Sequence, residues 1–441
     1  MKRILVILLA LAAIAQPSDA QFFKKLGKAI SDAAKEAVSD TPKNTTQKTT
    51  TPGNTTSKKV SPRKPHLTSS TKTITVDGGV ERLGSFSNGR AIVTGRKCQF
   101  VIDRQGSKVF DIPAGFTPKG KRKSLTGDDE GVGYDSNRLM VYSRSEQTAV
   151  IYDEKGNVVK KFTDTYDASG FCDGVAVIQK ENKKPGQWTG SRVWYHIDTD
   201  GNILSKDMPV SSYTSYTYRL FPLSEGLSPV YDEKAGAWGF RNAKCQWVIQ
   251  PRFKGFGADD DGGFHNGLSR AMDKDSEKWG YIDQQGQWVI QPTFTTRPCN
   301  FYGIYALVKD KSGRIYFIDK TGKFVWQEQT PGAFVINQFL PNNINIWCDD
   351  AGCYLIDASF KKKCRIDQHH GGLTAYTDSY FQWHSVNDAM YDVNRLIDYD
   401  GNILLEFGEC GGTFAEGICT CENFYFNDKG EVIVRFEDTK F

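Results

Sequence analysis

Acidic turns are the first residues of this sequence whose types and spacing suggest chemistry. Three consecutive aspartates run from Asp259 to Asp261, and the turns that begin at Asp198 and Asp398 read Asp-x-Asp-Gly-Asn. A calcium loop needs six or more oxygen ligands, including a late carboxylate that closes it. Both turns continue into Ile-Leu instead, so we predict that they bind no calcium.

Histidines and catalytic motifs offer a second kind of chemistry. His369 and His370 are adjacent in the sequence, and adjacent residues of a strand point to opposite faces, so an extended pair cannot chelate one ion. The motifs HExxH and G-x-S-x-G and the phosphate-binding P-loop do not occur. We predict no catalytic residue, no metal and no cofactor. The alternative is an enzyme that acts on envelope polysaccharide through paired carboxylates.

The cysteines indicate local cross-links. Ten cysteines suit an exported chain of this length better than a small disulfide-dense fold. Cys348 and Cys353 enclose Asp-Asp-Ala-Gly between two apolar runs, and a strand-turn-strand would place them opposite each other. A disulfide there requires a Cα separation of about 5.5 Å. Either Cys419 or Cys421 could bridge to Cys410, or both serve as small apolar side chains.

The elements that position these residues follow one repeated pattern. Ala237 to Phe253 and Lys278 to Phe294 both contain Gln-Trp-Val-Ile-Gln-Pro. The common pattern is an apolar run ending in Asp or Asn, two free positions, Gly, and a second β-rich run. Asp or Asn accepts hydrogen bonds from the backbone that follows, and Gly adopts the left-handed conformation, so each copy predicts the tip of a β-hairpin. The regular tips are Asp103 with Gly106, Asp153 with Gly156, Asp198 with Gly201, Asp283 with Gly286, Asp319 with Gly322, Asp398 with Gly401 and Asn427 with Gly430.

Two further copies lack the glycine, which brings the total to nine. Cys245 and Phe360 occupy its position, and we expect either strain or a different turn at both. Asp103 and Asn427 are 324 residues apart over eight steps, which gives 40.5 residues per step. Propeller blades and comparable arrays have this period, and helical repeats do not.

A second phrase precedes most tips and adds a strand to each unit. It consists of an aromatic residue or Leu, two residues, Gly or Asn, and an alternating run that predicts a strand with one buried face. The phrases begin at Phe86, Tyr134, Phe171, Leu223, Phe264 and Phe414. We therefore predict an all-β array of about nine antiparallel units, either a propeller-like ring or an open β superhelix. Lys72 to Gly79 could add a strand to the short final unit, which favours closure because it removes exposed edges.

The segment from Gly267 to Phe294 resembles the WG repeat of exported bacterial proteins. It reads Gly-Leu-Ser, Lys-Trp-Gly-Tyr-Ile-Asp and Gly-x-x-Val-Ile-x-Pro-x-Phe, and Gly226 to Phe253 is similar. The resemblance implies an all-β repeat array without catalytic residues. A Trp that recurs at one position of a β repeat more often belongs to the core than to a ligand-stacking site. We therefore assign five aromatics to the repeat core, namely Trp194, Trp238, Trp247, Trp279 and Trp288.

Three different segments precede the array. Residues 1–20 combine a basic start with a short apolar run and small residues, as in a signal peptide. Residues 21–40 have the spacing of an amphipathic helix, whose residues 21–38 either contact a membrane surface or partner, or form a neck. Residues 41–74 are rich in Thr, Lys and Pro and predict a disordered linker. The repeat domain is thus expected over residues 75–441.

Net charge and expected location limit the classes of function that this chain can have. Residues 1–75 carry 13 basic and 4 acidic side chains, a net +9, so the remainder carries 4 − 9 = −5. A negative folded part argues against nucleic acid as a partner. We expect a secreted, periplasmic or cell-surface binding module without chemistry, which recognises a protein or an envelope glycan through its variable loops at 113–131 and 181–192. A structural spacer is the remaining alternative.

Overall fold

The second of two compact units of the chain, Ser61–Phe441, contains all residues described below. The computed structural model describes residues 63–123, 129–182, 191–206, 208–210, 218–256, 263–327, 334–335, 340, 344–387, 391–408 and 412–439. The predicted signal peptide, the amphipathic helix and residues 41–62 of the predicted linker lie outside these ranges. Within them, no helix has the length and the apolar composition needed to cross a bilayer.

Nine sheets follow one another along the chain as blades, and a tenth sheet is added to them. The strands of the first part are β1 (Lys72–Val76); in blade 1, β2 (Val80–Leu83), β3 (Arg90–Gly95), β4 (Gln99–Asp103) and β5 (Lys108–Ile112); in blade 2, β6 (Thr117–Pro118), then β7 (Gly120–Lys123) and β8 (Asp129–Val132) of the added sheet, then β9 (Leu139–Ser143), β10 (Thr148–Tyr152) and β11 (Val158–Phe162); and in blade 3, β12 (Thr165–Ala168), β13 (Ala176–Asn182), β14 (Ser191–Ile197) and β15 (Ile203–Ser205).

The middle blades have three strands each in the described ranges. After β16 (Tyr218–Arg219), which joins the added sheet, blade 4 contains β17 (Ser228–Asp232), β18 (Ala237–Arg241) and β19 (Trp247–Phe253); blade 5 contains β20 (Ser269–Met272), β21 (Trp279–Ile282) and β22 (Trp288–Phe294); and blade 6 contains β23 (Ala306–Lys309), β24 (Ile315–Ile318) and β25 (Phe324–Gln327).

The last three blades complete the ring. Blade 7 contains β26 (Phe334–Val335), β27 (Asn345–Asp349), β28 (Gly352–Ile356) and β29 (Lys362–Asp367); blade 8 contains β30 (Gly371–Tyr376), β31 (Tyr380–Val386), β32 (Asp392–Asp398) and β33 (Ile403–Phe407); and blade 9 contains β34 (Ile418–Cys421), β35 (Phe424–Asn427) and β36 (Val432–Asp438), with β1 beside β36. In a four-stranded blade such as blade 1 we call the strands a, b, c and d in sheet order, and the other blades follow by equivalence.

Nine hydrophobic clusters join neighbouring blades and close the ring. Each cluster combines residues of two consecutive blades, from blades 1 and 2 through blades 8 and 9. The ninth cluster joins blade 9 to blade 1, where Tyr425, Val434 and Phe436 pack against Phe86 and Phe100. The all-β propeller is therefore closed, and the open superhelix is excluded.

Strand β1 closes the ring, as the sequence suggested. Its residues Lys72–Val76 pair in parallel with Val434–Asp438, and Val76 is buried in the cluster between blades 9 and 1. The backbone is already paired upstream, since the Arg63 carbonyl accepts from the Glu406 N–H at 2.9 Å and His66 pairs with the edge of β36. The predicted domain start at residue 75 is therefore too late. Composition misses this segment because edge pairing uses backbone groups, which polar residues also supply.

The tips keep one turn even where glycine is missing. Cys245 and Phe360 have φ values of 55° and 63°, and each donates its N–H to the carbonyl of the residue three positions before it, Asn242 or Asp357. The two turns therefore do not differ from the regular tips. A left-handed backbone conformation costs a residue such as Phe about 1–2 kcal/mol. The packing of Phe360 offsets this cost, because its ring stacks on Trp326 at 5.1 Å and contacts Phe317 at 4.9 Å between blades 6 and 7.

The repeated Trp-Gly and Ile-Gln-Pro phrases are the two sides of one bulge. In blade 5, Trp279 pairs with Phe294 and Tyr281 pairs with Ile290, so Gly280 alone faces three residues of strand d. A Cβ atom on Gly280 would lie 2.4 Å from the Ile290 oxygen and 2.9 Å from the Pro292 nitrogen. Proline fits there because an edge strand at a bulge does not need its N–H. The close backbone approach explains why this unit requires glycine after the tryptophan.

Candidate recognition surface

The turns that precede strand b link consecutive blades by hydrogen bonds. We call them leading turns, and in six of them a non-glycine residue with positive φ lies at the centre. The Asn88 side chain accepts from the Asn137 N–H at 2.6 Å, and the Glu225 carboxylate accepts from the Gly267 N–H at 3.0 Å. Related bonds involve Glu416 with Gly89, Asp135 with Gly174, Asp173 with Leu223 and Asn266 with Phe301. Six consecutive interfaces, from blades 9 and 1 to blades 5 and 6, are joined in this way.

The leading turns and the tips share one end of the blades. Successive turns of an antiparallel sheet alternate between its two ends, so the a–b and c–d turns coincide. Contacts confirm this placement, since Arg90 on the leading turn of blade 1 donates to the Glu154 carbonyl at the tip of blade 2 at 2.8 Å. Arg138 likewise donates to the Thr199 carbonyl at 2.9 Å. We call this end the tip face.

The added sheet lies at the tip face over blades 2 to 4. It has the order β16-β7-β8, with β7 and β8 inserted just before the leading turn of blade 2 and β16 just before that of blade 4. The Gly170 N–H of blade 3 donates to the Gly120 carbonyl at 2.8 Å, and the Leu220 N–H donates to the Lys121 carbonyl at 3.1 Å. The segment 113–131, predicted as a variable loop, is thus partly strand: its described residues include β6, β7 and the start of β8.

Two ion pairs lie in or next to the added sheet. Lys119 and Asp167 approach to 3.4 Å with side chains only 5% and 8% exposed, and the Lys119 ammonium lies 5.8 Å from the Tyr142 ring centre. Lys121 pairs with Asp135 at 2.8 Å, and Asp135 also accepts from the backbone of blade 3. Burial alone lowers the pKa of Lys121, but the hydrogen bond to Asp135 raises it overall. One ion pair and two backbone hydrogen bonds therefore join the added sheet to the blades. Sequence reasoning missed both ion pairs because the partners lie 14 and 48 positions apart in the chain.

The second predicted loop extends a hairpin of blade 3. Strands β13 and β14 pair over seven residues each, up to Asn182 with Ser191. The Tyr166 hydroxyl donates to the Glu181 carboxylate at 3.1 Å, and the Arg192 guanidinium lies 4.6 Å from the Tyr166 ring centre. This b–c hairpin lies at the end of the blade opposite the tip face. Residues 183–190 of the predicted loop lie outside the described residues.

Three of the five predicted core tryptophans, Trp238, Trp247 and Trp288, pack on hydrophobic clusters between blades. Trp279 is 8% exposed, and the other four are half-buried against hydrophobic clusters. Trp238 lies edge-on to Phe256 at 4.3 Å, and Trp288 lies edge-on to Phe253 of the preceding blade at 5.6 Å. Rings in such contacts offer little free face for stacking on a sugar.

The tip aspartates are used by their own turns. Asp198 accepts from the N–H groups of Asp200 and Asn202 at 2.9 and 2.8 Å, and Asp398 repeats this pattern. Burial raises the pKa of Asp198, but these hydrogen bonds lower it overall. Asp259 to Asp261 lie outside the described residues. The His370 Nε2–H donates to the Asp349 carbonyl at 2.8 Å, while the His369 backbone N–H donates to the Asp367 carboxylate. Within the described ranges, no three His, Cys, Asp or Glu side chains cluster as metal ligands.

Carboxyl groups with shifted pKa values do not suit general acid catalysis. Wherever the pKa of a described carboxyl group is clearly shifted, it is lowered, as at Asp153, Asp319, Asp349 and Asp367. A general acid at neutral pH needs a raised pKa. These side chains therefore give no support to a pair of carboxylates acting on polysaccharide.

The predicted disulfide is confirmed. Cys348 and Cys353 face each other across the β27–β28 hairpin with a Cα separation of 4.1 Å and are joined by a disulfide bond. Cys421 is also disulfide-bonded, whereas Cys419 is a buried free thiol. The sequence offered Cys410 as a partner for either residue, and Cys410 lies outside the described residues.

These features define a closed nine-bladed β-propeller with one added sheet. A family model described as the WG containing repeat matches residues 279–296, which span strand c, the tip and strand d of blade 5. The resemblance recognised in the sequence is therefore confirmed, and this unit is a WG repeat.

The other comparisons find only distant similarity to known proteins. No curated protein matches the sequence significantly. Similar solved structures include BamB from Moraxella catarrhalis, with 12% identity and a TM-score of 0.36 over 69% of this chain and 93% of that one. Apo AztD from Citrobacter koseri has 15% identity and a TM-score of 0.29 over 66% and 86%. The WD40 domain of SCAP from fission yeast has 10% identity and a TM-score of 0.28 over 79% and 92%. Such low scores carry no functional argument, so the fold rests on the strands and blade interfaces.

Proposed function

We propose that this protein is an exported recognition module without chemistry of its own, and that it binds another protein at the added sheet of the tip face. A β-propeller with a WG repeat fits a binding or scaffold role. Export is supported by the disulfide between Cys348 and Cys353, because such bonds persist in oxidising compartments. The signal-like sequence of residues 1–20 points the same way.

The added sheet carries the proposal because the nine-fold repeat does not require it. Blade 6 forms from three strands and has no insertion before its leading turn, so a blade does not require strands such as β7, β8 and β16. The chain nevertheless ties the added sheet to the blades through the ion pair of Lys121 with Asp135 and the hydrogen bond from the Gly170 N–H to the Gly120 carbonyl. A rigid surface loses less entropy when it binds a partner, which increases affinity.

The edge of the added sheet favours a protein over a glycan. Strand β8 pairs with β7 and with no other strand of the described ranges. An unpaired edge presents N–H and C=O groups that an extended peptide can satisfy by adding a strand. Binding to glycans more often uses exposed aromatic faces, and the core tryptophans of this propeller are turned toward neighbouring blades.

A site-specific crosslinking experiment tests this assignment. A photo-reactive residue at Glu130 on β8 should capture one protein from an envelope extract, and the same residue at Asp275, in the b–c turn of blade 5, should not. Replacing residues 121–131 with a short Gly-Asn linker should abolish capture while the disulfide and the unfolding midpoint of the ring stay intact. Equal capture at both positions, or capture of glycan alone, would contradict the proposal.

Truncation separates the propeller from the N-terminal segments. A chain that starts at Arg63 keeps β1 and its upstream pairing, whereas a start at Thr75 would remove most of β1. We expect the chains starting at Gln21 and Arg63 to capture the same protein. Capture by the longer chain alone would transfer recognition to residues 21–62.

A further inference from the structure

The two residues before each tip form a buried repeat column. In nine blades they give eighteen positions on strand c, and sixteen hold an aliphatic or aromatic side chain. These sixteen are all buried, with Tyr152 the most exposed at 9%. The two exceptions are His196 in blade 3 and Arg241 in blade 4, each only 1% exposed. Isoleucine satisfies the Arg241 position in six other blades, so the fold itself does not require a charge there.

Both exceptions face the interface of blades 3 and 4, because their strand neighbours Ile197 and Phe240 pack on the opposite faces, toward blades 2 and 5. The contact between blades 3 and 4 also contains Cys245, the residue that replaces glycine at the tip of blade 4. One terminal nitrogen of Arg241, Nη1, lies 3.9 Å from the Cys245 sulfur. Burial, and after it the charge of Arg241, lower the pKa of His196 to about 3. Three departures from the repeat therefore meet at one place, and the imidazole there is neutral at physiological pH.

Arg241 has no counter-charge among the described residues. Its Nη1 donates to the Asn242 carbonyl at 3.2 Å, but its Nη2 is sealed from solvent and has no acceptor. The Nδ1 atom of His196 is also buried without a partner. The nearby thiols do not supply charge, because burial raises the pKa of Cys245 and raises that of Cys172 to about 12. An uncompensated buried charge costs several kcal/mol.

Another buried arginine shows how the chain satisfies a guanidinium by itself. Arg270 in blade 5 is 3% exposed, and it donates from Nε to the Phe256 carbonyl at 3.1 Å and from Nη1 to the Pro298 carbonyl at 3.2 Å. Backbone carbonyls from two segments thus surround Arg270. No such pair of carbonyls reaches Arg241, which has one carbonyl and the adjacent imidazole.

We propose that a small inorganic anion of halide size binds between Arg241 Nη2 and the His196 ring, at the interface of blades 3 and 4. The neutral imidazole can donate one N–H, and the guanidinium supplies both charge and donors. Because both nitrogens are enclosed, the ligand must be compact and must enter before or while the two blades pack together. The anion then stabilises the folded ring by binding it in preference to the unfolded chain.

Thermal unfolding with different anions tests the proposal on the intact chain. At constant ionic strength, replacing sodium gluconate with sodium chloride should raise the unfolding midpoint by about 2–4 °C. Arg241→Ile should fold, since the repeat uses isoleucine there, and should lose this dependence. Arg270→Ile is the matched control and should keep it. Crystals grown in sodium bromide should show an anomalous peak beside Arg241 Nη2.

Three results would overturn the proposal. The first is a chloride effect of equal size in Arg241→Ile, which would place the anion elsewhere. The second is the absence of a bromide peak at Arg241 in crystals of a protein whose midpoint does not respond to chloride. The third is a chloride response that Arg270→Ile also loses, which would mean that the response does not depend on Arg241 in particular.

Discussion

Blades 1 to 6 and blades 7 and 8 are joined to their neighbours by different kinds of contact. In the regular arc, which runs from the interface of blades 9 and 1 to that of blades 5 and 6, a leading-turn side chain bonds to the next blade each time. In the irregular arc, around blades 7 and 8, the described leading turns carry one bond to the next blade, from the Tyr380 hydroxyl to the Asp428 carboxylate at 3.3 Å. Its contacts between blades are the packing of Phe360 on Trp326, which we call the aromatic plug, and an ion network on Asp367, whereas the disulfide of blade 7 lies within one hairpin.

The network of the irregular arc converges on one carboxylate. Asp367 at the end of β29 accepts from Arg395 at 2.7 Å and from the Trp383 ring nitrogen at 3.1 Å, both in blade 8. Arg395 also pairs with Glu406 at 2.9 Å. Blades of one pattern are therefore joined in two ways: by repeated weak bonds to backbone groups, or by a few strong contacts that are specific to one interface.

Removing the strongest contact of the irregular arc should have the largest effect. Arg395→Met leaves the buried Asp367 carboxylate without its cation, and we expect a loss of about 3 kcal/mol or more in the free energy of unfolding. Denaturant unfolding measures this. Lys97→Met, which breaks the exposed pair with Asp77 at 2.9 Å, is the control and should cost less than about 1 kcal/mol. Equal losses would mean that the network contributes no more than a surface pair.

The same network predicts that the free energy of unfolding falls at acid pH. Burial raises the pKa of Asp367, but the His369 N–H, Ser385, Arg395 and Trp383 lower it overall. A lowered folded pKa gives stability that is present above the unfolded value of about 3.9 and is lost as the pH falls through the folded value. The stability difference between wild type and Asp367→Asn should therefore shrink below about pH 4. A difference that is constant down to pH 2 would contradict the assignment.

A methyl group placed at the bulge of blade 5, in the regular arc, should cause the next largest loss of stability. Gly280→Ala brings a Cβ atom to 2.4 Å from a backbone oxygen of strand d, so we expect a loss of about 2–3 kcal/mol. Gly372→Ala in blade 8 is the matched control, since no atom lies within 4 Å of its added Cβ. Its change should stay within about 0.5 kcal/mol. Similar midpoints for the two variants would refute the close-approach explanation of the Trp-Gly phrase.

Replacing Phe360 by the glycine of the regular tips should show whether packing or backbone strain dominates at the aromatic plug. Phe360→Gly loses a ring whose truncation costs about 3–5 kcal/mol, but relieves left-handed strain of about 1–2 kcal/mol. We expect a net loss of about 2 kcal/mol by calorimetry. A net gain would show that strain outweighs packing between blades 6 and 7.

Removing a single leading-turn bond should cause the smallest loss of stability. Glu225→Ala removes the acceptor of the Gly267 N–H and of the Gln284 amide, and an exposed bond of this kind is worth about 0.5–1.5 kcal/mol. Hydrogen exchange should show faster opening at Gly267 in this variant. Glu233→Ala, in the b–c turn of the same blade, should leave that exchange rate unchanged. If it does not, the effect is one of charge and not of the bond.

The sequence predicts what is local and repeated. The tips follow from Asp-x-x-Gly because each turn is formed within a few residues, and the period of 40.5 follows from their spacing. The closing strand at Lys72 was also visible, since the last unit lacked a partner for its edge. The phrases at the leading turns were recognised as the start of a strand, but their bonds to the next blade were not, because a side chain does not reveal which neighbour it reaches.

Contacts specific to one interface escaped prediction. Lys119 and Asp167 lie 48 positions apart, and nothing in the intervening strands marks them as a pair. His196 and Arg241 were within reach: aligning the nine copies isolates them as polar residues in an apolar column. That signal was present in the repeat and needed only a comparison of equivalent positions.

The parallel pairing of β1 with β36 also sets the order of folding. Thr73 and Arg435, which are in hydrogen-bond contact, are 362 residues apart. The N-terminal strand therefore has no partner until almost the whole chain has been synthesised. Until then, the early blades must hold together as an incomplete arc with an exposed edge, a state open to aggregation. Contacts between such distant residues also slow folding. Ring closure is thus the step at which this chain most needs protection.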